Sequence, residues 1–282
     1  MQNLILNQRT LPAIGMGTWH MGDDFKRRQT ELTALRSGLD SGAAVIDTAE
    51  MYGEGNSERL VGEALQNFPR EKVYLISKVY PWNASLTELP KSLDQSLERL
   101  ETDYLDLYLL HWRGTIPLAE TVAAMEAAKQ AGKIKAWGVS NFDTDDMEEL
   151  WQVPGGQNCA ANQVLYNLGE RGIEFDLLPW LRKQNVPLIA YSPVAQGDSL
   201  GNQFTQQPQL QKIAEQHQAS IFQILLAWVI RDGTTLAIPQ SSNEMHVKAN
   251  LAAGAVKLAA AELAILDELF PKPTQKQPLA ML

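Results

Sequence analysis

The feature that most constrains the fold is a rhythm. Apolar, strand-like runs end near Gly17, Asp47, Ser77, Leu110, Val139, Gln163, Ala190 and Ile238, and most are separated by a helical pattern. The spacing is that of roughly 30-residue βα units. Helical periodicity is clear over residues 29–39, 58–65, 86–100, 118–130, 147–151, 175–183 and 221–230, and only the sixth unit is vague. Such alternation suits a doubly wound open sheet or a closed barrel. Eight units in 282 residues favour the α/β architecture of the (β/α)8 TIM barrel, typically about 250 residues long. Residues 3–12 alternate around a turn-like Asn7-Gln8 pair, so an N-terminal β-hairpin is expected ahead of a strand over 13–17. No composition shift or Ser/Gly-rich linker divides the chain, which reads as one domain over 1–282.

Composition narrows the partners. At 45% hydrophobic and 20% charged, the chain suits a soluble protein with a large core. A net charge of -9, with Lys and Arg spread thinly, argues against nucleic acid, although an anionic cofactor can still be held locally. The single cysteine, Cys159, excludes an internal disulfide, and four scattered His form no CxxC or HxxxH cluster, so no metal is expected. Arg9 and Pro12 interrupt the N-terminal stretch MQNLILNQRTLPAIG, which is neither signal peptide nor membrane span. A cytoplasmic monomer is the expectation, since a barrel requires no partner subunit.

Barrel physics directs attention to the carboxyl ends of the strands, where loops build active sites. The polar residues there are Asp47 and Tyr52 after the second strand, Lys78 after the third, and His111 with Trp112 after the fourth. Ser140 and Asn141 follow the fifth, Gln163 the sixth, Tyr191 and Ser192 the seventh, and 239–242 the eighth. Each alone has a structural reading: Asp47 capping a turn, Tyr52 covering the core, Lys78 reaching solvent, His111 satisfied in place, Gln163 closing a turn. Four titratable groups converging on one barrel mouth point instead to chemistry.

Lys78 beside Asp47 forms an ion pair, and a neighbouring ammonium lowers a tyrosine pKa from about 10, making Tyr52 a general acid. His111 can donate to a carbonyl oxygen, while Trp19 and Trp112 exclude water. The set suits protonation of a carbonyl oxygen. No G-x-S-x-G nucleophile motif and no metal cluster offer another route, so a hydride must come from outside. A nicotinamide cofactor would supply it, with Ser140, Asn141 and Gln163 as groups suited to a carboxamide.

Eight motifs in order resemble the aldo-keto reductase family over nearly the whole chain: GMGTW (15–19), DTAEMYGEGNSERLVGEAL (47–65), SKVY (77–80), YLDLYLLHW (104–112), GKIKAWGVSNF (132–142), NQVLYN (162–167), AYSP (190–193) and IPQSS (238–242). The resemblance implies a (β/α)8 barrel with the hairpin across its bottom and a catalytic tetrad of Asp47, Tyr52, Lys78 and His111. It implies NAD(P)H bound without a Rossmann fold. GMGTWHMG and YGEGNSER accordingly read as tight turns, since neither spells a dinucleotide or phosphate-loop motif. Gly17, Thr18, Trp19 and Asp47 fall on the cofactor side, with Ser140, Asn141 and Gln163 on the nicotinamide amide and Tyr191 stacked on its ring. Ser192, Pro193, Val194 and Gln196 belong to a segment, 192–200, that passes near the pyrophosphate.

The adenosine end departs from the family pattern. NADPH-using relatives carry Lys and Arg where this chain has Gln240 and His246, and Glu where it has Ala249. Ile238, Ser241, Ser242 and Asn250 keep the frame, and Lys248 is a candidate compensating cation. Charge-assisted bonds to phosphate are roughly twice as strong as neutral ones, so discrimination should weaken. The family habit is NADPH, with NADH or dual use open. Trp19, Trp82, His111 and Trp112 read as a substrate pocket left open by a short C-terminal tail, suited to small reactive aldehydes. SKVYPWNAS, AYSPVAQ and ELWQVPGG most resemble bacterial reductases of the methylglyoxal reductase type. Two alternatives stay beside this: a nicotinamide-binding regulatory module with little turnover, and a phosphate-sugar isomerase using Lys78 as Schiff-base former or Glu50 as proton abstractor.

Overall fold

A computed structural model describes residues 2–196 and 204–282. Strands β1 (Asn3–Leu6) and β2 (Arg9–Pro12) pair antiparallel through Asn7 and Gln8, whose φ values of 47° and 64° give the mirror-image turn preferred in two-residue hairpins. Leu4, Leu6 and Leu11 bury one face of this hairpin. Arg9 then donates to Asp106 (3.0 Å), near the start of a barrel strand, which ties the hairpin across the amino-terminal ends. Asp106 also accepts from Arg70 (2.9 Å), so the clamp is a network at the structural end of the barrel.

Eight parallel strands follow: β3 (Met16–Gly17), β4 (Val45–Asp47), β5 (Tyr74–Val79), β6 (Leu105–Leu110), β7 (Ile134–Ser140), β8 (Asn162–Leu165), β9 (Leu188–Tyr191) and, after the short β10 (Pro193–Gln196), β11 (Thr235–Ala237). Each pairs with the next, and the bridges Ile14–Ala237 and Gly17–Gln240 join the first to the last. Closure is tight at Gly17, where a Cβ would stand 2.7 Å from the Ile238 carbonyl oxygen. The central strands are buried along their length, with Tyr108 and Trp137 among the largest enclosed side chains, as expected of a parallel sheet covered by helices.

The helices are α1 (Arg28–Asp40), α2 (Asn56–Leu65), α3 (Leu89–Arg99), α4 (Leu118–Gln130), α5 (Thr144–Gln152), α6 (Leu177–Gln184), α7 (Pro208–Gln216), α8 (Ile221–Val229), α9 (Glu244–Ala252) and α10 (Ala260–Leu269). Three of them, α7, α9 and α10, are absent from the sequence expectation. Each begins on a local signal, Pro208, the Asn243 cap and the Glu262 carboxylate on the Ala259 amide; α7 also buries Leu210, Ile213 and Ala214 at helical spacing, whereas α9 and α10 present no clean apolar stripe. Helix α5 starts three residues earlier than the periodicity suggests, because Asp143 and Asp146 cap one another's amides (2.9 and 3.2 Å). The first barrel strand is shorter than 13–17, with Ile14 contributing only a bridge. No helix among the described residues is long and apolar enough to cross a membrane.

Candidate active site

The carboxyl ends of β4, β5 and β6 bring four groups together. Asp47 is the last residue of β4, Lys78 the penultimate residue of β5, and His111 directly follows β6. Tyr52 comes from the turn after β4, which is built on three successive left-handed residues, Gly53, Glu54 and Gly55 (φ 56°, 53° and 84°). Gly55 is required there twice over: its φ suits glycine, and a Cβ would fall 2.5 Å from the Arg99 side chain.

Lys78 Nζ donates to Asp47 Oδ2 (2.7 Å), to the Thr48 carbonyl (2.9 Å) and to the Tyr52 hydroxyl (3.0 Å). An ammonium has three hydrogens, and all three are committed. Burial alone would lower the Lys78 pKa, but Asp47 and Tyr52 outweigh it and hold the ammonium charged. The other Asp47 oxygen accepts from Gln163 Nε2 (2.8 Å). Burial pushes the Asp47 carboxyl up, against the pull of Lys78 and Gln163. The Tyr52 expectation is corrected here: burial raises its hydroxyl above the usual value of 10.0 by more than Lys78 lowers it. A desolvated phenol that accepts from Lys78 keeps its own hydrogen, which is the state a proton donor needs.

His111 packs edge-on to Tyr52, with ring centroids 5.9 Å apart. Burial, aided by the Lys78 charge, holds the imidazole well below its usual 6.5, so it is neutral at physiological pH. Its Nδ1 is buried without a hydrogen-bond partner among the described residues.

A cluster of hydrogen-bonded polar side chains adjoins these groups. Ser140 Oγ donates to the Gln163 carbonyl (2.9 Å), Asn141 Nδ2 donates to the His111 carbonyl (3.1 Å) and to Ser140 Oγ (3.2 Å), and Tyr191 OH donates to Asn141 Oδ1 (3.0 Å). Both hydrogens of Asn141 Nδ2 and one of Gln163 Nε2 are thus engaged, leaving acceptor capacity on the side-chain oxygens, which fits the N–H donors of a nicotinamide amide. Burial pushes the Tyr191 hydroxyl up to about 12, and the tether to Asn141 fixes its half-buried ring.

At the far end, Gly17, Leu35, Pro239, Ser241, Val247 and Asn250 line a small cavity between β3, α1 and α9. Thr18 is buried, with its hydroxyl on the Asp47 carbonyl (2.9 Å), and so acts from beneath the site. Gln240 and His246 are exposed, as is the Trp82 ring. Ser192, Pro193 and Val194 lie just beyond Tyr191, whereas the Gln196 side chain and residues 197–200 fall outside the described residues.

The aromatic wall differs in detail from the expectation. Trp82 and Trp112 are 5.8 Å apart, but Tyr80 completes the cluster, stacked on Trp82 (4.3 Å) and edge-on to Trp112 (6.0 Å). Its signal, the alternation in VYPW, was available in the sequence. Trp19 stacks on His20 (4.4 Å) instead. The short tail does not leave the mouth clear: Lys276 pairs with Asp145 (3.1 Å) and Asp176 (3.5 Å), and the Leu282 backbone hydrogen-bonds the Tyr191 hydroxyl.

Two alternative roles lose their footing. Lys78 has no free amine for a Schiff base. Glu50 is buried and accepts from the Tyr80 amide (2.6 Å), Asn83 (3.3 Å) and the Ser92 hydroxyl, which makes it the anchor of the loop bearing Trp82.

A barrel whose mouth joins a buried Asp-Lys pair to a neutral, proton-bearing tyrosine and a cluster of amide and hydroxyl side chains fits a carbonyl oxidoreductase. The chain belongs to the aldo/keto reductase family, which it matches over residues 13–270, and it is an NAD(P)H-dependent aldehyde reductase. It is 53% identical over 273 residues to the methylglyoxal reductase YeaE of Escherichia coli K12, covering 97% of this chain and 96% of that protein. A more distant relative, the NADH-specific methylglyoxal reductase of the same organism, is 28% identical over 92% of this chain and 95% of its own length. Among solved structures, an aldo/keto reductase from Klebsiella pneumoniae in complex with NADP and acetate superposes with a TM-score of 0.97 at 48% identity, over 100% of this chain and 99% of that one.

Proposed function

We propose that the protein reduces small aldehydes and 2-oxoaldehydes of the methylglyoxal kind, with NADPH as the preferred donor and Tyr52 as the proton donor. The observation that carries the reading is the Lys78–Tyr52 bond: the hydroxyl accepts (3.0 Å), so its hydrogen is left for a substrate oxygen. When bound, the nicotinamide supplies a hydride from C4 to the carbonyl carbon. Tyr52 gives its proton to the oxygen, and Lys78, itself fixed by Asp47, stabilises the phenolate that forms. Neutral His111 orients the oxygen by donating one ring N–H, while Ser140, Asn141 and Gln163 hold the amide and Tyr191 carries the ring. Trp82, Trp112 and Tyr80 exclude water over a pocket suited to compact substrates. YeaE, with its near-full-length identity, supports methylglyoxal among the candidates. A monomer in the cytoplasm suits a barrel complete in one chain.

The test is loss of absorbance at 340 nm with purified protein, methylglyoxal and either NADPH or NADH. Turnover supports the reading. Cofactor-dependent quenching of tryptophan fluorescence with no reduction of methylglyoxal or of a wider aldehyde panel would favour a binding module.

A further inference from the structure

Where the family pattern places Lys and Arg for an adenosine 2'-phosphate, this chain has the uncharged Gln240 and the single-ring His246, both exposed. The structure brings another cation to that segment from a different part of the chain. Arg27 ends the 3-10 turn Phe25–Arg27 and caps α1, and its Nη2 donates to Ser242 Oγ at 2.5 Å across 215 residues of sequence. The crossing is fixed by the packing of α1 on α9, which Ser37 reinforces by donating to Glu244 (3.1 Å). Arg27 Nε faces the buried Glu31 carboxylate at 3.8 Å, and Glu31 is itself held by the Gly22 amide (2.9 Å). One edge of the guanidinium is therefore oriented by a buried acid, while the other points at the 241–243 segment.

The alternatives on this face are already engaged. Lys248 is tied to Glu244 (2.7 Å), and the first free amides of α9, on Met245 and His246, are taken by the Asn243 side chain (2.9 and 3.2 Å). Arg27 has only the 3.8 Å contact of its Nε with Glu31, its Nη2 rests on a neutral hydroxyl, and its side chain is 57% exposed. A guanidinium fork matches phosphate bidentately, and Ser242, relieved of accepting from Arg27, can rotate its hydroxyl to donate.

We propose that Arg27 is the residue that selects NADPH in this protein, gripping the 2'-phosphate with Ser242 in place of the cations missing at 240 and 246. The assignment rests on the reading that residues 238–250 hold the adenosine end of the cofactor.

Binding of NADPH, NADH, adenosine 2',5'-bisphosphate and 5'-AMP is measured by tryptophan quenching and calorimetry for wild type, Arg27→Gln, Arg27→Lys and Lys26→Gln. Losing a charge-assisted bond should weaken NADPH relative to NADH, and the bisphosphate relative to 5'-AMP, roughly ten- to a hundredfold in Arg27→Gln. Arg27→Lys should recover part of the ratio, and Lys26→Gln, a neighbouring exposed cation, should leave it unmoved. If wild type binds the nucleotides but Arg27→Gln weakens both members of each pair equally, or neither, this assignment alone is overturned. A wild-type chain that binds none of them overturns the reductase reading and this assignment with it.

Discussion

Lys78 donates to Tyr52 across 3.0 Å while its other two hydrogens go to Asp47 and the Thr48 carbonyl. Tyr52 is the acceptor in this bond, so the phenol keeps its own hydrogen, the state that the proposed role as proton donor requires. Because burial holds that phenol above its usual pKa, the ammonium's contribution is largest after transfer, when charge appears on the oxygen.

Tyr52→Phe removes the proposed donor and leaves the Ser140, Asn141 and Gln163 cluster intact. Aldehyde reduction should fall by about two to four orders of magnitude, the span of general acid catalysis, with nicotinamide affinity retained. Stopped-flow hydride transfer together with fluorescence titration separates the two effects. Near-normal turnover would mean that another group protonates the oxygen.

Reduction should be nearly independent of pH across a wide window. Tyr52 must be protonated to act, and with a pKa above 10.0 it loses its proton only as pH rises through that raised value. His111 is neutral down to below 6.5, so its titration marks only the acid limb. A plateau in kcat/KM from about pH 6.5 to 9 is expected, with oxidation of the alcohol rising toward high pH, since that direction needs the phenolate. A break in reduction between pH 7 and 8 would show that a different group titrates.

The barrel and the four convergent residues were legible because both depend on short-range signals: apolar runs of strand length, and polar residues where those runs end. Helix α4 was legible to the residue, Leu118–Gln130. Helix α9 was not, since its start rests on the Asn243 cap and it buries only Val247 and Leu251, whereas α7 carries a readable signal in Pro208 and the Leu210, Ile213, Ala214 spacing. The tyrosine pKa was misjudged in sign because an ion pair can be inferred from adjacency of strand ends, whereas the depth of burial that outweighs it is a property of the closed barrel. Arg27 was invisible for a related reason: its partner Ser242 lies across the α1–α9 packing, and no spacing rule connects them.

Gly55→Ala tests whether the turn that presents Tyr52 is strained into place. A methyl group would occupy a φ of 84° and meet the Arg99 side chain at 2.5 Å, disturbing the Arg99–Glu58 pair (2.6 Å) as well. A loss of about 1–3 kcal/mol is expected, read as a lowered thermal midpoint, together with reduced kcat from a displaced phenol. Unchanged stability would mean that the turn relaxes without cost.

Glu50→Leu should act on the substrate and not on the chemistry. It leaves the Tyr80 amide, Asn83 and Ser92 without their shared acceptor, each buried donor costing about 1–3 kcal/mol if water cannot reach it. The loop carrying Trp82 should loosen, raising KM for aldehydes more than it lowers kcat. Glu50→Gln, which keeps an acceptor oxygen, should recover most of the KM. Equal falls in kcat for both variants would point to a chemical role for the carboxylate.

Gln240→Lys restores a cation to the frame in which NADPH-using relatives carry one, and its effect depends on what already occupies that space. If Arg27 on Ser242 already neutralises part of the phosphate charge, as proposed, a second cation adds less, so the gain in NADPH preference should be modest. In an Arg27→Gln background the same lysine should restore most of the lost preference, a non-additivity that a double-mutant cycle reads directly. Strictly additive effects would place the two side chains on different parts of the cofactor, and no effect of Gln240→Lys in either background would show that the 2'-phosphate lies elsewhere.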